Sequence, residues 1–350
     1  MAEPTPVVSA QTEQFTNDIL ATIERERERE IIARRFGLFD RKETLEQIGE
    51  LLGITRERVR QLEKSIVTRL RTVAQQGSLP HITEVESSFL EELQKTGGVA
   101  RISDLTQRTS HDTSRLEQAR VSFLAQLCPK LIVINEDDNF YHAAAVRETF
   151  DEKQLKTEVT KLVDTIKKLG EPKTIEDIAA AAGIKDPKQA RALASISKHI
   201  ATLNGRWGLV KWPMVNPKNI RDKIYVILKE NGKHMHFNEI AEAIKKSDFK
   251  RKDVTTQAIH NELIKDKRFV LIGRGIYALK EWGYEKGTVA DIIAKILHEA
   301  GEPLHRDEIV KRVLKNRYVK ETTILLNLQG KPQFKRVAKA TYTIDEDQAA

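Results

Sequence analysis

One pattern constrains this chain more than any other: a glycine followed at a fixed offset by Leu or Ile, four times over. The stretches are LQKTGGVARISDL, IKKLGEPKTIEDI, LKENGKHMHFNEI and LHEAGEPLHRDEI, pairing Gly97 with Leu105, Gly170 with Ile178, Gly232 with Ile240 and Gly301 with Ile309. In each, a helical run ends at the residue that accepts a left-handed C-terminal cap, and an acidic residue precedes the apolar anchor. Self-similarity at a fixed offset signals repeated supersecondary units. The 350 residues, 31% charged and 40% hydrophobic, therefore divide into several small domains rather than one large core.

After each anchor the pattern predicts a second helix, a polar gap, a third helix and a β-rich tail. The tails are KLIVINEDDNFYHAA, GRWGLVKWP, KRFVLIGRGIYALK and FKRVAKATYTID, in which β-branched and aromatic residues flank Gly or Asn/Asp turn signals. Helix, helix, helix, hairpin is the order of a winged helix. The expected fold class is mainly α, with tandem helix-turn-helix and winged-helix domains carrying small β-hairpin wings. The repeats occupy residues 85–148, 152–213, 216–284 and 287–346, the first two degenerate.

Ahead of them, residues 1–14 read as a disordered tail and residues 15–79 as a separate unit. Within it lies TLEQIGELLGITRERVRQLEKS, residues 44–65. Thr44 with Gln47 forms a capping box, and Leu45, Ile48, Leu51 and Leu52 recur at helical spacing. Gly53 falls where a left-handed cap is needed. Thr55 then caps a second helix whose apolar stripe is Val59, Leu62, Ile66 and Leu70. Two crossed helices joined at a glycine make a helix-turn-helix. With the stripe inward, Arg56, Glu57, Arg60, Gln61, Lys64 and Thr68 face outward. Arginine pairs bidentately with guanine, glutamine with adenine, and glutamate accepts from cytosine, whereas Arg69 and Arg71 suit phosphates.

Residues 27–71, REREIIARRFGLFDRKETLEQIGELLGITRERVRQLEKSIVTRLR, resemble region 4 of the sigma-70 family of bacterial transcription initiation factors, notably in RFGL and TRERVRQLE. In that family this helix enters the major groove of the minus-35 promoter element. The resemblance implies base-reading roles for Arg56, Glu57, Arg60 and Gln61, with Arg58 and Lys64 near the backbone. It also implies contact with RNA polymerase core, through the flap of its beta subunit. Only 6% of the chain is aromatic, without the exposed aromatic cluster that captures unpaired bases. A reader joined to other modules is expected, rather than a factor that melts promoters alone.

The third repeat, through RFVLIGRGIYAL, resembles the HARE-type helix-turn-helix family, winged-helix modules found in the RNA polymerase delta subunit and in chromatin and DNA-modification proteins. The fourth is a weaker relative. Lys250, Arg251 and Lys252 crowd the connection before the third repeat's third helix. That helix offers Thr256, Gln257 and His260, and its wing adds Arg268 and Arg274. Together they could follow a phosphate backbone, or the lysines could simply solubilise a loop.

Lys and Arg number 59 against 51 Asp and Glu, a formal charge of +8 that favours a polyanionic partner. Double-stranded DNA is the expected partner, with RNA polymerase core beside it. No membrane or small-molecule substrate is expected. His234 and His236 in KHMHF lack the companions of a metal site, and no phosphate-binding loop is present, so neither metal nor cofactor is expected. Cys128, the single cysteine, lacks a catalytic frame and reads as a buried structural thiol. No catalytic residue is assigned and no enzyme is expected. The N-terminal stretch lacks a signal peptide's apolar run, and no segment nears the roughly 18 apolar residues that span a bilayer, so a cytoplasmic protein is expected. A sequence-specific transcription factor of bacterial type is the leading expectation; a delta-like polymerase accessory subunit and a non-specific nucleoid protein are the alternatives.

Overall fold

The computed structural model describes residues 11–249, 251, 253–284 and 287–345. It divides into one unit of residues 1–211 and another of residues 212–350. Helices dominate both, with small antiparallel sheets.

The first unit begins with α1 (Thr12–Ala21), α2 (Glu26–Phe36), α3 (Leu45–Leu52) and α4 (Arg56–Gln75). Two repeats follow. One comprises α5 (Ile82–Thr96), β1 (Val99–Arg101), α6 (Ile102–Thr109), α7 (Arg115–Leu127), β2 (Leu131–Ile134) and β3 (Ala143–Val146). The next comprises α8 (Glu152–Leu169), α9 (Ile175–Ala182), α10 (Pro187–Ile196), β4 (Ile200–Leu203) and β5 (Arg206–Leu209).

The second unit holds two more repeats. The third has α11 (Ile220–Asn231), β6 (Met235–His236), α12 (Phe237–Lys246), α13 (Thr256–Lys265), β7 (Phe269–Gly273) and β8 (Ile276–Leu279). The fourth has α14 (Val289–Ala300), β9 (Leu304–His305), α15 (Arg306–Asn316), α16 (Glu321–Gly330), β10 (Phe334–Ala338) and β11 (Thr341–Ile344).

The repeat anchors have a plain physical basis. Gly97, Gly170, Gly232 and Gly301 all cap their helices in the left-handed region, and Leu105, Ile178, Ile240 and Ile309 are fully buried. Three of the four sheets share one topology, the short strand before the second helix pairing with the last strand: β1-β3-β2, β6-β8-β7 and β10-β11-β9. The second repeat keeps only the two-stranded β4-β5 and, at the equivalent place, an isolated bridge between Lys173 and Trp207.

Two boundary expectations meet a different structure. Thr12–Gln14, expected in the tail, form the first turn of α1, where the buried Thr12 hydroxyl donates to Glu117 of α7 at 2.7 Å. The stretch at residues 77–81, where the unit 15–79 is expected to end apart from the repeats, is packed: Leu79 is buried, and His81 stacks on Phe15 at 4.2 Å and pairs with Asp18 at 2.8 Å. A single core accordingly runs from Phe15 through Ile66, Leu70 and Phe89 to Phe123 and Val146. The buried Arg120 crosses it, donating to the Leu38 carbonyl at 3.2 Å and pairing with Glu13 at 3.0 Å. Residues 15–79 and 85–148 thus share one hydrophobic interior. The proline-containing stretch at residues 213–217, by contrast, lies at the division between the two units.

Cys128 is fully buried, and desolvation raises its thiol pKa well above the usual value, as a structural thiol requires. No helix among the described residues is long and apolar enough to cross a membrane.

Candidate nucleic-acid interface

The turn between α3 and α4 is built as its sequence dictates. The Thr44 hydroxyl accepts from the Gln47 N–H at 3.2 Å and Gln47 accepts from the Thr44 N–H at 2.9 Å, closing the capping box. Gly53 ends α3 at φ 63°, and Thr55 caps α4 by accepting from the Arg58 N–H at 3.2 Å. Gly49 permits the tight crossing, because a Cβ there would lie 2.7 Å from the Ile54 carbonyl oxygen. Ile31, Ile48 and Val59 form a small fully buried core beneath the turn.

Val59, Ile66 and Leu70 are buried and Leu62 is half-buried, which leaves the opposite side of α4 open. Thr55, Arg56, Glu57, Arg58, Arg60, Gln61, Lys64 and Arg69 are all exposed. Glu57 organises this surface. It holds Arg60 through two contacts of 2.6 and 2.8 Å and accepts from Gln61 at 3.3 Å. Those bonds, led by Arg60, hold the Glu57 carboxyl down at about 2 and raise the guanidinium of Arg60. Arg56 pairs across the turn with Glu46 at 2.7 Å, and Arg58 reaches Gln61 at 3.5 Å. Such solvent-exposed pairs are individually weak, so a stronger acceptor can displace them.

The two arginines read as phosphate ligands are less free than those of the N-terminal half of α4. Arg69 is engaged by the largely buried Glu28 at 2.7 Å. Arg71 is half-buried, and desolvation together with Arg147 lowers its pKa. Both sit on the half of α4 that packs into the shared core, where burial competes with solvent access.

In the third repeat the expected residues disperse. Lys250 and Lys252 lie outside the described residues. Arg251 is exposed, in a left-handed backbone conformation, with its carbonyl accepting from Lys223 at 2.7 Å. Gln257 is exposed and donates to Asn261 at 3.2 Å; Thr256 is half-buried. His260 packs among rings, 5.1 Å from Phe237 and 6.2 Å from Tyr277. Arg268 is at the base of the hairpin rather than on its tip. It pairs with Asp266 at 2.8 Å and Asp222 at 3.1 Å, contacts that raise its pKa and use up its charge locally. Arg274 alone stands exposed at the β7–β8 turn, beside Gly275 at φ 69°.

Sequence reasoning passed over Glu46, which orients Arg56, and the roles of two histidines. His236 and His305 cap α12 and α15, their Nδ1 atoms accepting from the Asn238 and Asp307 N–H groups at 3.3 Å. The repeat held the signal, since Thr174, His236 and His305 follow their glycines at one offset and all three cap the next helix. Among the described residues no group of His, Cys, Asp and Glu is arranged to hold a metal ion.

Comparison with known proteins bears on the α3–α4 region. Residues 25–72 match the family model described as Sigma-70, region 4. The chain is 43% identical over 74 residues to the RNA polymerase sigma factor RpoD of Helicobacter pylori, covering 19% of this chain and 11% of that protein. It is 47% identical over 55 residues to the RNA polymerase sigma factor SigA of a Bacillus species, covering 15% and 14%. It is 50% identical over 46 residues to the RNA polymerase sigma factor sigB of Arabidopsis thaliana, covering 13% and 8%. The chain thus spans only a small part of the length of these relatives. The cap, the turn glycine and the two-sided helix coincide with the matched segment, and residues 25–72 carry a Sigma-70 region 4 domain that makes up a small part of the chain.

Proposed function

We propose that the chain is a sequence-specific DNA-binding transcription factor in which the N-terminal half of α4 reads a promoter-like element. One observation carries this reading: α4 buries Val59 and Ile66 while Arg56, Glu57, Arg60, Gln61 and Lys64 stay exposed together on the other side. On binding, Arg60 exchanges Glu57 for a guanine edge, and Gln61 and Glu57 become available to adenine and cytosine. The relatives are named as RNA polymerase sigma factors, which supports polymerase core as a further partner. The repeats act as winged helices, the third and fourth of HARE type, and the protein works by binding without catalysis.

Selection of bound duplexes from a random pool tests this, using the full chain, Arg60→Ala and Arg56→Ala. The wild type should recover one motif, and each variant should relax it at one position. An unchanged motif with Arg60→Ala, in binding that is insensitive to salt, would remove α4 as the reader.

A second reading, a polymerase accessory subunit, gains from the third repeat. With Arg268 neutralised by two aspartates and His260 packed among rings, fewer groups there are open to phosphate. Capture of polymerase core without DNA, together with no footprint on any promoter, would favour it.

A further inference from the structure

The third and fourth repeats carry the same hairpin in the same register, with opposite surface chemistry. Phe269 pairs with Leu279 and Phe334 with Ile344, and each first strand bulges at one place, at Ile272 in β7 and at Val337 in β10. In β7 the residues after the phenylalanine are Val270, Leu271 and Ile272; in β10 they are Lys335, Arg336 and Val337. β7 is an edge strand that the fourth repeat covers: the Tyr318 N–H donates to the Ile272 carbonyl at 3.1 Å and Arg317 donates to that of Leu271. Val270 and Ile272 are buried in a cluster with Ala278 of β8, whereas Val337 is 49% exposed.

We propose that the β10–β11 hairpin is a second nucleic-acid contact, gripping the phosphate backbone of double-stranded DNA without reading its sequence. Lys335, Arg336 and Lys339 are all exposed, and no carboxylate of the described residues lies within ion-pair distance of them. Residues 331–344 contain no Asp or Glu. The hairpin is held firmly: the Arg306 N–H of α15 donates to the Ala340 carbonyl at 2.8 Å, and Ala340 takes the left-handed turn at φ 59°. Arg336 donates only to the Ala338 carbonyl at 3.1 Å among the described residues, and cations without a carboxylate partner among those residues suit a polyanion, because each phosphate neutralised releases counterions with no such pair to break.

Basic residues on an edge strand also block edge-to-edge pairing, and charge of either sign does that. Charge reversal therefore separates the two roles. Lys335→Glu/Arg336→Glu/Lys339→Glu in the full chain keeps the edge protected, and a monomer by light scattering is expected. Its affinity for a duplex lacking the selected motif should fall at least tenfold at moderate salt. The milder Lys335→Gln/Arg336→Gln/Lys339→Gln should flatten the log–log salt slope by about 3, at roughly 0.9 per phosphate contact. The control Lys153→Glu/Lys161→Glu/Lys168→Glu removes equal charge from α8 and should cost far less. Unchanged affinity in both hairpin variants would leave edge protection as their only role. An equal loss in the α8 control would reduce the effect to bulk charge, and competition by polyglutamate as strong as by duplex would assign the hairpin to an acidic protein; either overturns the proposal. The inference takes only the polymer's nature from the proposed function. Loss of sequence preference on changing Arg60 and loss of non-specific affinity on changing the hairpin are separate readouts, so either can fail alone.

Discussion

The third helices of the repeats have the same place in the order of elements and opposite fates in the two units. In α7, Val121, Ser122, Phe123, Leu124 and Ala125 are buried in succession, and in α10 Ala192, Leu193 and Ala194 are too. In α13 only Ile259 and Leu263 are buried, and in α16 only Ile324 and Leu328. α10 keeps Lys188 and Arg191 exposed along one side, but α7, buried on nearly every side beyond its first turn, cannot enter a groove and can only be a wall. α7 is the wall against which α1, α2 and α4 pack, so the first repeat supports α4, the helix proposed to read DNA, and its own third helix has no comparably open side. The second unit leaves one side of each third helix open.

The sharpest way to break this contrast is to remove a group from the wall. Arg120 is nearly sealed between Leu38, Glu13 and Glu117, and Arg120→Ala leaves the buried Glu117 carboxylate with only Thr12 as side-chain partner among the described residues. Deleting one member of a buried ion pair costs ~3–5 kcal/mol. Peptide-resolved hydrogen exchange should show that loss across residues 12–146, including α4, though Arg120 is far along the chain from it. The counterpart Gln257→Ala, on the open side of α13, should stay within about 0.5 kcal/mol of the wild type. Equal effects would mean that α7 is no more structural than α13.

A smaller effect tests what the wall supports. Arg60→Ala removes an exposed side chain whose only partner among the described residues is Glu57, three residues before it on the same helix, so stability should hold. Binding to the selected duplex should weaken by ~1–3 kcal/mol, the worth of one bidentate base contact. Arg71→Gln, on the half-buried part of the same helix, should do the reverse, changing stability more than sequence preference. A competition binding assay alongside urea unfolding of both variants separates the two outcomes.

Helix caps, the turn glycine, the repeat anchors and the two-sidedness of α4 were legible in the sequence because each is a local rule, decided within one or two turns of chain. The fused core was not. VSFLAQL and ALASI are apolar on all sides, a pattern that announces burial but not the partner, and Thr12 meets Glu117 only through the tertiary fold. The fate of individual cations was equally hidden. Arg268 and Arg274 look alike as basic wing residues, yet Asp222, contributed by α11, neutralises the first. Local chemistry at the cap of α3 gives a correspondingly local expectation: Thr44→Ala should cost about 1 kcal/mol, the usual worth of an N-cap. Hydrogen exchange should speed up at the start of α3 while α7 stays protected.

The smallest effect concerns pH and again separates the wall from the open repeats. His142 lies beside β3, and its ring shares a hydrogen bond of 3.1 Å with Ser122 of α7. Burial lowers its pKa; Lys42 adds to that and Glu136 opposes it. The unfolded chain therefore takes up a proton near the ordinary value of about 6.5 that the folded chain still refuses. Stability from this group is complete above that value and is lost as pH falls through the window down to the lowered folded pKa. The urea midpoint of residues 12–146 should decline over that window in the wild type, and His142→Gln should remove that part of the decline. If the variant keeps the full slope, the proton enters elsewhere and α7 does not hold His142 neutral.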